Sequence, residues 1–161
     1  MSVIIDGDAG GTAVTSTIYE QGSAFSATLS ASQSITNATF TKCEFDSVTF
    51  DAEGDYDGTT NYRFQPTIDG YYQINFSTRI ANVSTASTVV ITALYKNGSE
   101  YQRVQGYSSS VNDDPAPCLS VVVHLNGSTD YVEGFVYHNA LATESLTTNG
   151  SSISGHLVRK A

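Results

Sequence analysis

The sequence predicts an all-β fold of sandwich or barrel type, and three observations predict it. Only 14% of the 161 residues are charged, well below the usual quarter. Uncharged Ser, Thr, Asn and Gly fill the gap, with ten Tyr and seven Phe beside them. That mixture suits pleated, half-buried strands joined by turns, and it suits helices poorly. Short apolar stretches then recur between turn residues, and none repeats at the 3.6-residue period of a helix.

The elements read in order from Phe25. Phe25-Ser26-Ala27-Thr28-Leu29 alternates, Phe40-Thr41-Lys42-Cys43-Glu44-Phe45 follows, and Val48-Thr49-Phe50 is a third strand. Asp51 to Thr60, with Gly54 and Gly58 among acids, reads as a loop. Tyr62-Arg63-Phe64 is a short strand stopped by Pro66, and Ile68-Asp69-Gly70 is expected to be a tight turn. In Tyr71 to Ser77 the residues Tyr72, Ile74 and Phe76 face one way, Gln73 and Asn75 the other. Thr88 to Tyr95 is long and β-branched; Asn97-Gly98 behind it is the strongest short hairpin signal, with Glu100 to Tyr107 as the return. Pro115 and Pro117 make Ser108 to Pro117 a loop. Leu119 to Leu125 is a strand, Asn126-Gly127 is read as its turn, Tyr131 to Tyr137 as its return, and Ile153 to Val158 closes the chain. The total is about nine or ten strands.

Residues 1–23 differ. Glycines punctuate small side chains, and the apolar anchors are Val3, Ile4, Ile5, Ile18 and Tyr19. Too few apolar groups stand here to offset an ordering cost of roughly 1–2 kcal/mol per residue. This stretch is expected to be an arm ordered only against a partner, ahead of a single domain over residues 24–161.

Charge excludes some partners. A formal net charge of −9 opposes nucleic acid and anionic membranes, because phosphate binding needs clustered Lys and Arg. The only basic cluster is Arg159-Lys160. No apolar run reaches transmembrane length. Met1 to Gly7 lacks the basic start and apolar core of a signal peptide, so a cytoplasmic origin is expected. Cys43 and Cys118 stand far apart, either as two free thiols or as one disulfide.

Two strands carry more than a core needs. Leu119 to Leu125 is apolar on both faces in its middle, and Tyr131, Phe135 and Tyr137 line one face of the next strand while Val132, Gly134 and Val136 line the other. A second apolar face must meet a neighbouring subunit or the N-terminal segment.

Taken together, the segments resemble the globular head of complement first component q and the wider tumour-necrosis-factor-like jelly rolls. The matching stretches run in order: Phe25-Ser26-Ala27; the acidic segment Phe50-Asp51 and Asp55-Tyr56-Asp57; Tyr62-Arg63-Phe64-Gln65-Pro66 into Asp69-Gly70-Tyr71-Tyr72-Gln73-Ile74; Leu94-Tyr95-Lys96-Asn97-Gly98; Leu119 to Leu125; Asp130-Tyr131-Val132; and Ser154-Gly155-His156-Leu157. The resemblance covers residues 24–161. It implies a jelly roll of about ten strands that trimerises around a three-fold axis, with aromatic-rich inner strands packed on that axis. Tyr72, Val122, His124, Tyr131, Phe135 and Tyr137 are then the expected interface. The chain lacks the collagen-like stalk and heavy charge of the animal branch, and its Thr/Ser/Asn-rich style is similar to bacteriophage structural proteins of this type. A fold by itself does not fix a function.

Signs of catalysis are few. His124, His138 and His156 fall in separate segments without metal-ligand spacing, and neither a Gly-x-Ser-x-Gly elbow nor a phosphate-binding loop occurs. No metal site or catalytic residue is expected. Calcium is the one cofactor weighed: the Asp51 to Asp57 loop and Asp113-Asp114 can each supply oxygens, but solvated acidic loops are the expected reading.

The reading that results is a non-enzymatic homotrimer that decorates and cements a phage capsid. It would be made in the host cytoplasm, carried on the virion surface, and bound to the major capsid protein through the arm. The alternative is a tail-fibre tip or receptor-binding protein that meets a host ligand; a bacterial adhesion module is a third reading.

Overall fold

The computed structural model describes residues 22–161. Among them are thirteen strands and no helix. Two antiparallel sheets face each other. The first orders β10 (Cys118–Asn126), β7 (Asp69–Ser77), β13 (Ser152–Lys160), β1 (Ala24–Thr28) and β4 (Ser47–Asp51) side by side. The second runs β5 (Tyr56–Asp57), β6 (Arg63–Phe64), β11 (Val132–His138), β8 (Val89–Lys96) and β9 (Ser99–Tyr107), with β3 (Thr41–Lys42) also paired to β11. A small pair, β2 (Gln33–Ile35) with β12 (Glu144–Leu146), stands apart. This is the jelly-roll sandwich; the count exceeds ten because five of the strands are only two or three residues long.

Alternation builds the core. On β7, Tyr72, Ile74 and Phe76 are buried, while Tyr71 and Asn75 are exposed and Gln73 lies between. Fully burying such side chains stabilises by about 1.5–3 kcal/mol each. Rings carry the packing between the sheets: Phe25 stacks on Phe64 at 4.3 Å and on Tyr56 at 4.9 Å, and Phe64 meets Tyr72 edge-on at 5.4 Å. Phe76 meets Phe45 edge-on at 5.8 Å. Gly134 on β11 makes room for that contact, since a methyl there would stand 2.7 Å from the Phe76 ring.

The β8–β9 hairpin is the one expected. Asn97 and Gly98 have φ of 52° and 76°, the paired positive values that a two-residue turn between twisted strands requires. Three expectations need correction. Ile68-Asp69-Gly70 is no tight turn, because Asp69 and Gly70 already pair with Asn126 and Leu125 at the start of β7. The acidic loop contains β5, which folds back on β6. Most consequentially, β10 and β11 are not a hairpin: β10 pairs with β7 in the first sheet and β11 with β8 in the second. The link crosses the sandwich, organised by the Asn126 side chain, whose Oδ1 accepts the N–H groups of Ser128, Thr129 and Asp130.

Cys43 and Cys118 are free thiols, the first buried and the second exposed. Burial pushes the Cys43 thiol well above its ordinary pKa.

Candidate functional site

The crossing link separates residues that the sequence reading placed together. On β10, Leu119, Val123 and Leu125 point into the core, which turns Val122 and His124 outward. On β11, Val132, Val136 and His138 are buried, so Phe135 and Tyr137 face outward from the opposite side of the sandwich. The expected interface residues therefore fall on two separate surfaces of the sandwich, Val122 and His124 on one and Phe135 and Tyr137 on the other. Tyr72 belongs to neither. It is fully buried in its own subunit, its hydroxyl donates to the Ile68 carbonyl at 2.7 Å, and burial pushes its pKa up to about 12.

The first surface is the outer face of β10, β7 and β13. Its apolar groups are Val122, 47% exposed, Tyr71, 44%, and Val158, 56%. Tyr71 and Val158 help line a cleft of about 450 Å³ with Arg159 and Ala161. Beside Tyr71, at 5.2 Å between ring centres, His124 sets its Nε2 2.8 Å from Asp69 Oδ1. Further along, Gln73 Nε2 donates to Ser120 Oγ and Ser120 Oγ to Asn75 Oδ1, each at 2.9 Å. The sheet edge at β10 is closed from within: Lys96 Nζ donates to the His124 carbonyl at 2.8 Å and the Tyr101 hydroxyl to that of Val122 at 3.4 Å. These two carbonyls are thereby occupied and less open to an added strand.

The second surface is aromatic. Tyr95 lies 4.1 Å from Phe135, and Phe40 lies 5.1 Å from Tyr137, both between ring centres. Lys42, ion-paired with the buried Glu133, sits 5.9 Å from the Phe135 ring centre. Nearby, the Arg63 guanidinium stands over Tyr131 at 4.3 Å.

The sequence reading missed Tyr71, Val158, Tyr95 and Phe40. The doublet Tyr71-Tyr72 held a signal, because consecutive strand residues face opposite ways and one of the two rings must point outward. The arm residues Val3, Ile4, Ile5, Ile18 and Tyr19 lie outside the described residues.

The histidines are dispersed. His138 is buried and satisfied, its Nε2 donating to the Ile35 carbonyl at 3.0 Å while Nδ1 accepts from Ala140 N at 3.2 Å. His156 is exposed on β13. Among the described residues no three His, Cys, Asp or Glu side chains converge as metal ligands. The acidic loops use their carboxylates locally. Asp57 accepts from Thr59 N at 3.0 Å, Thr60 N at 2.9 Å and Asn61 N at 3.1 Å, and these bonds hold its pKa far below the usual carboxylate range. Asp113 accepts from Ser109, and Asp114 from Asn82 and Arg79, with the same direction of shift.

Solved structures of similar fold share little sequence with this chain. Murine APRIL superposes with a TM-score of 0.62 at 13% identity, covering 86% of this chain and 100% of its own. The globular domain of zebrafish complement 1qA protein gives 0.52 at 12%, covering 88% and 100%. The PRD1 vertex protein P5 gives 0.59 at 15%, covering 85% and 97%. No curated protein matches the chain in sequence. The C1q domain model matches residues 24–158, spanning both sheets and both surfaces. The chain belongs to the C1q domain family.

Proposed function

We propose that this chain is a non-enzymatic structural protein of a virion, a homotrimer joined through the outer face of β10, β7 and β13. In this reading it binds the major capsid protein through residues 1–23 and decorates the shell. The observation that carries the reading is the exposure of Val122, Tyr71 and Val158 on one face of a sheet. Apolar groups gathered on a face mark an interaction surface, and a symmetric assembly covers it without a second gene product. Membership of the C1q domain family and the fold shared with a vertex protein of PRD1 support this placement. The dispersed histidines and locally bonded carboxylates suit binding better than chemistry.

Two measurements test it. Quantitative mass spectrometry of purified virions should find hundreds of copies per particle on the order expected of a shell-wide protein; a handful or none contradicts the decoration role. A chain lacking residues 1–22 should still trimerise but no longer bind capsids, and saturation of capsids by the truncated protein refutes the arm.

The aromatic surface of Tyr95, Phe135, Phe40 and Tyr137 favours a second reading, a fibre-tip or receptor-binding protein. Half-buried rings beside polar groups give a ligand contact area at low entropic cost. That reading requires purified protein to bind host cells and compete with infection.

A further inference from the structure

Asparagine followed by glycine occurs three times in the chain, each time within the same tripeptide: Asn97-Gly98-Ser99, Asn126-Gly127-Ser128 and Asn149-Gly150-Ser151. The pair is self-reactive, because glycine carries no side chain to shield its main-chain nitrogen from the preceding amide. In sequence the three are alike. In the fold they are not.

Two are locked. Asn97 donates from Nδ2 to Asp130 Oδ1 at 2.7 Å and accepts at Oδ1 from Tyr131 N at 3.0 Å. Asn126 accepts at Oδ1 from Ser128, Thr129 and Asp130 N–H groups and donates from Nδ2 to Thr129 Oγ1 at 2.9 Å. Turning either side chain onto the nitrogen that follows it breaks these bonds, and each bond lost slows a reaction by roughly two- to tenfold. Asn149 differs. It is exposed in the turn between β12 and β13. Among the described residues only its main-chain carbonyl is hydrogen-bonded, accepting from Arg79 Nη1 at 3.3 Å and from Thr147 Oγ1 at 2.9 Å. Its side-chain amide and the Gly150 N–H are both left free to react.

We propose that Asn149-Gly150 is a self-modifying site, at which the folded protein converts Asn149 to aspartate and isoaspartate. Gly150 N attacks Asn149 Cγ, and the new N–Cγ bond forms as the Cγ–Nδ2 bond breaks. The side-chain nitrogen leaves as ammonia, carrying the proton that Gly150 gives up. Water then opens the five-membered imide at either carbonyl. Cleavage on the side-chain carbonyl gives aspartate, and cleavage on the main-chain carbonyl gives isoaspartate. No oxidant, reductant or cofactor takes part. Either product adds a negative charge beside Arg79, in a chain whose formal net charge is already −9. Isoaspartate also inserts a methylene into the main chain just before Gly150, whose φ is 90° and whose carbonyl accepts from Ser77 Oγ at 3.0 Å. The change therefore reaches the end of β7, and the modified fraction rises with the age of the folded chain.

The test incubates the full-length protein in mildly alkaline buffer at physiological temperature and follows each asparagine by tandem mass spectrometry of its peptides. A parallel sample is held in guanidinium chloride. Unfolded, the three identical tripeptides should convert at similar rates. Folded, Asn149 should convert at least about tenfold faster than Asn97 or Asn126. Isoaspartate should appear at that position, and an acidic band should grow on isoelectric focusing; Asn149→Gln should lose the band. A folded protein whose Asn149 stays intact while the unfolded sample converts overturns the proposal. So does equal conversion at all three sites of the folded protein. Aspartate at that position with no isoaspartate beside it overturns the imide route.

Discussion

Asp57 ties three successive amides of the β5–β6 turn to one carboxylate, and its replacement by Ala should cost roughly 1 kcal/mol, as loss of a side-chain cap does. Urea melts of the two proteins measure it. The same bonds set a pH dependence. Asp57, Asp113, Asp114, Asp46 and Asp130 all have folded pKa values below the ordinary 3.8. A depressed folded pKa contributes stability that is fully present above the unfolded value and lost as pH falls through the folded one. The urea midpoint should therefore hold steady down to about pH 5 and decline below about pH 4. Asp57→Asn should make that decline shallower; an unchanged slope would mean the turn does not hold Asp57 ionised. Little of this was legible in the sequence. Asp51-Ala52-Glu53-Gly54-Asp55-Tyr56-Asp57 reads as an acidic run, but which carboxylate bonds its own turn and which is left over depends on backbone directions that composition does not encode.

Strand order depends on which local signals are unambiguous. Asn97-Gly98 joins strands in register across two residues, and both sequence and structure give a hairpin. Asn126-Gly127 carries the same dipeptide yet ends a crossover. There the Asn side chain gathers three downstream amides, and the turn grows long enough to reach the other sheet. The period-2 pattern of β7 was legible because one face is wholly apolar. β10 was legible as a strand apolar on both faces, but its sheet partner was not, since pairing is set by distant residues. Close packing between the sheets is itself testable. Gly134→Ala would place a methyl against the Phe76 ring and should destabilise by about 1–3 kcal/mol, seen as a lower thermal midpoint. An unchanged midpoint would mean that Phe76 turns aside without cost.

At the scale of the whole molecule, the sandwich presents two unlike faces, and the proposed function assigns them different work. The face of Val122, Tyr71 and Val158 is assigned to self-association, and the aromatic face of Phe135 and Tyr137 stays outward. The sequence pattern identified both strands as two-sided, but periodicity places a residue on a face without saying which sheet carries it. The assignment is most directly tested by sedimentation equilibrium of the unaltered protein, Val122→Asp and Phe135→Asp. A charge buried at an apolar contact is costly, whereas one on an open face is tolerated. The expected result is three chain masses for the unaltered protein and for Phe135→Asp, with Val122→Asp falling to one. An unaltered protein that sediments as a single chain, or a Val122→Asp variant that remains three, would contradict the account.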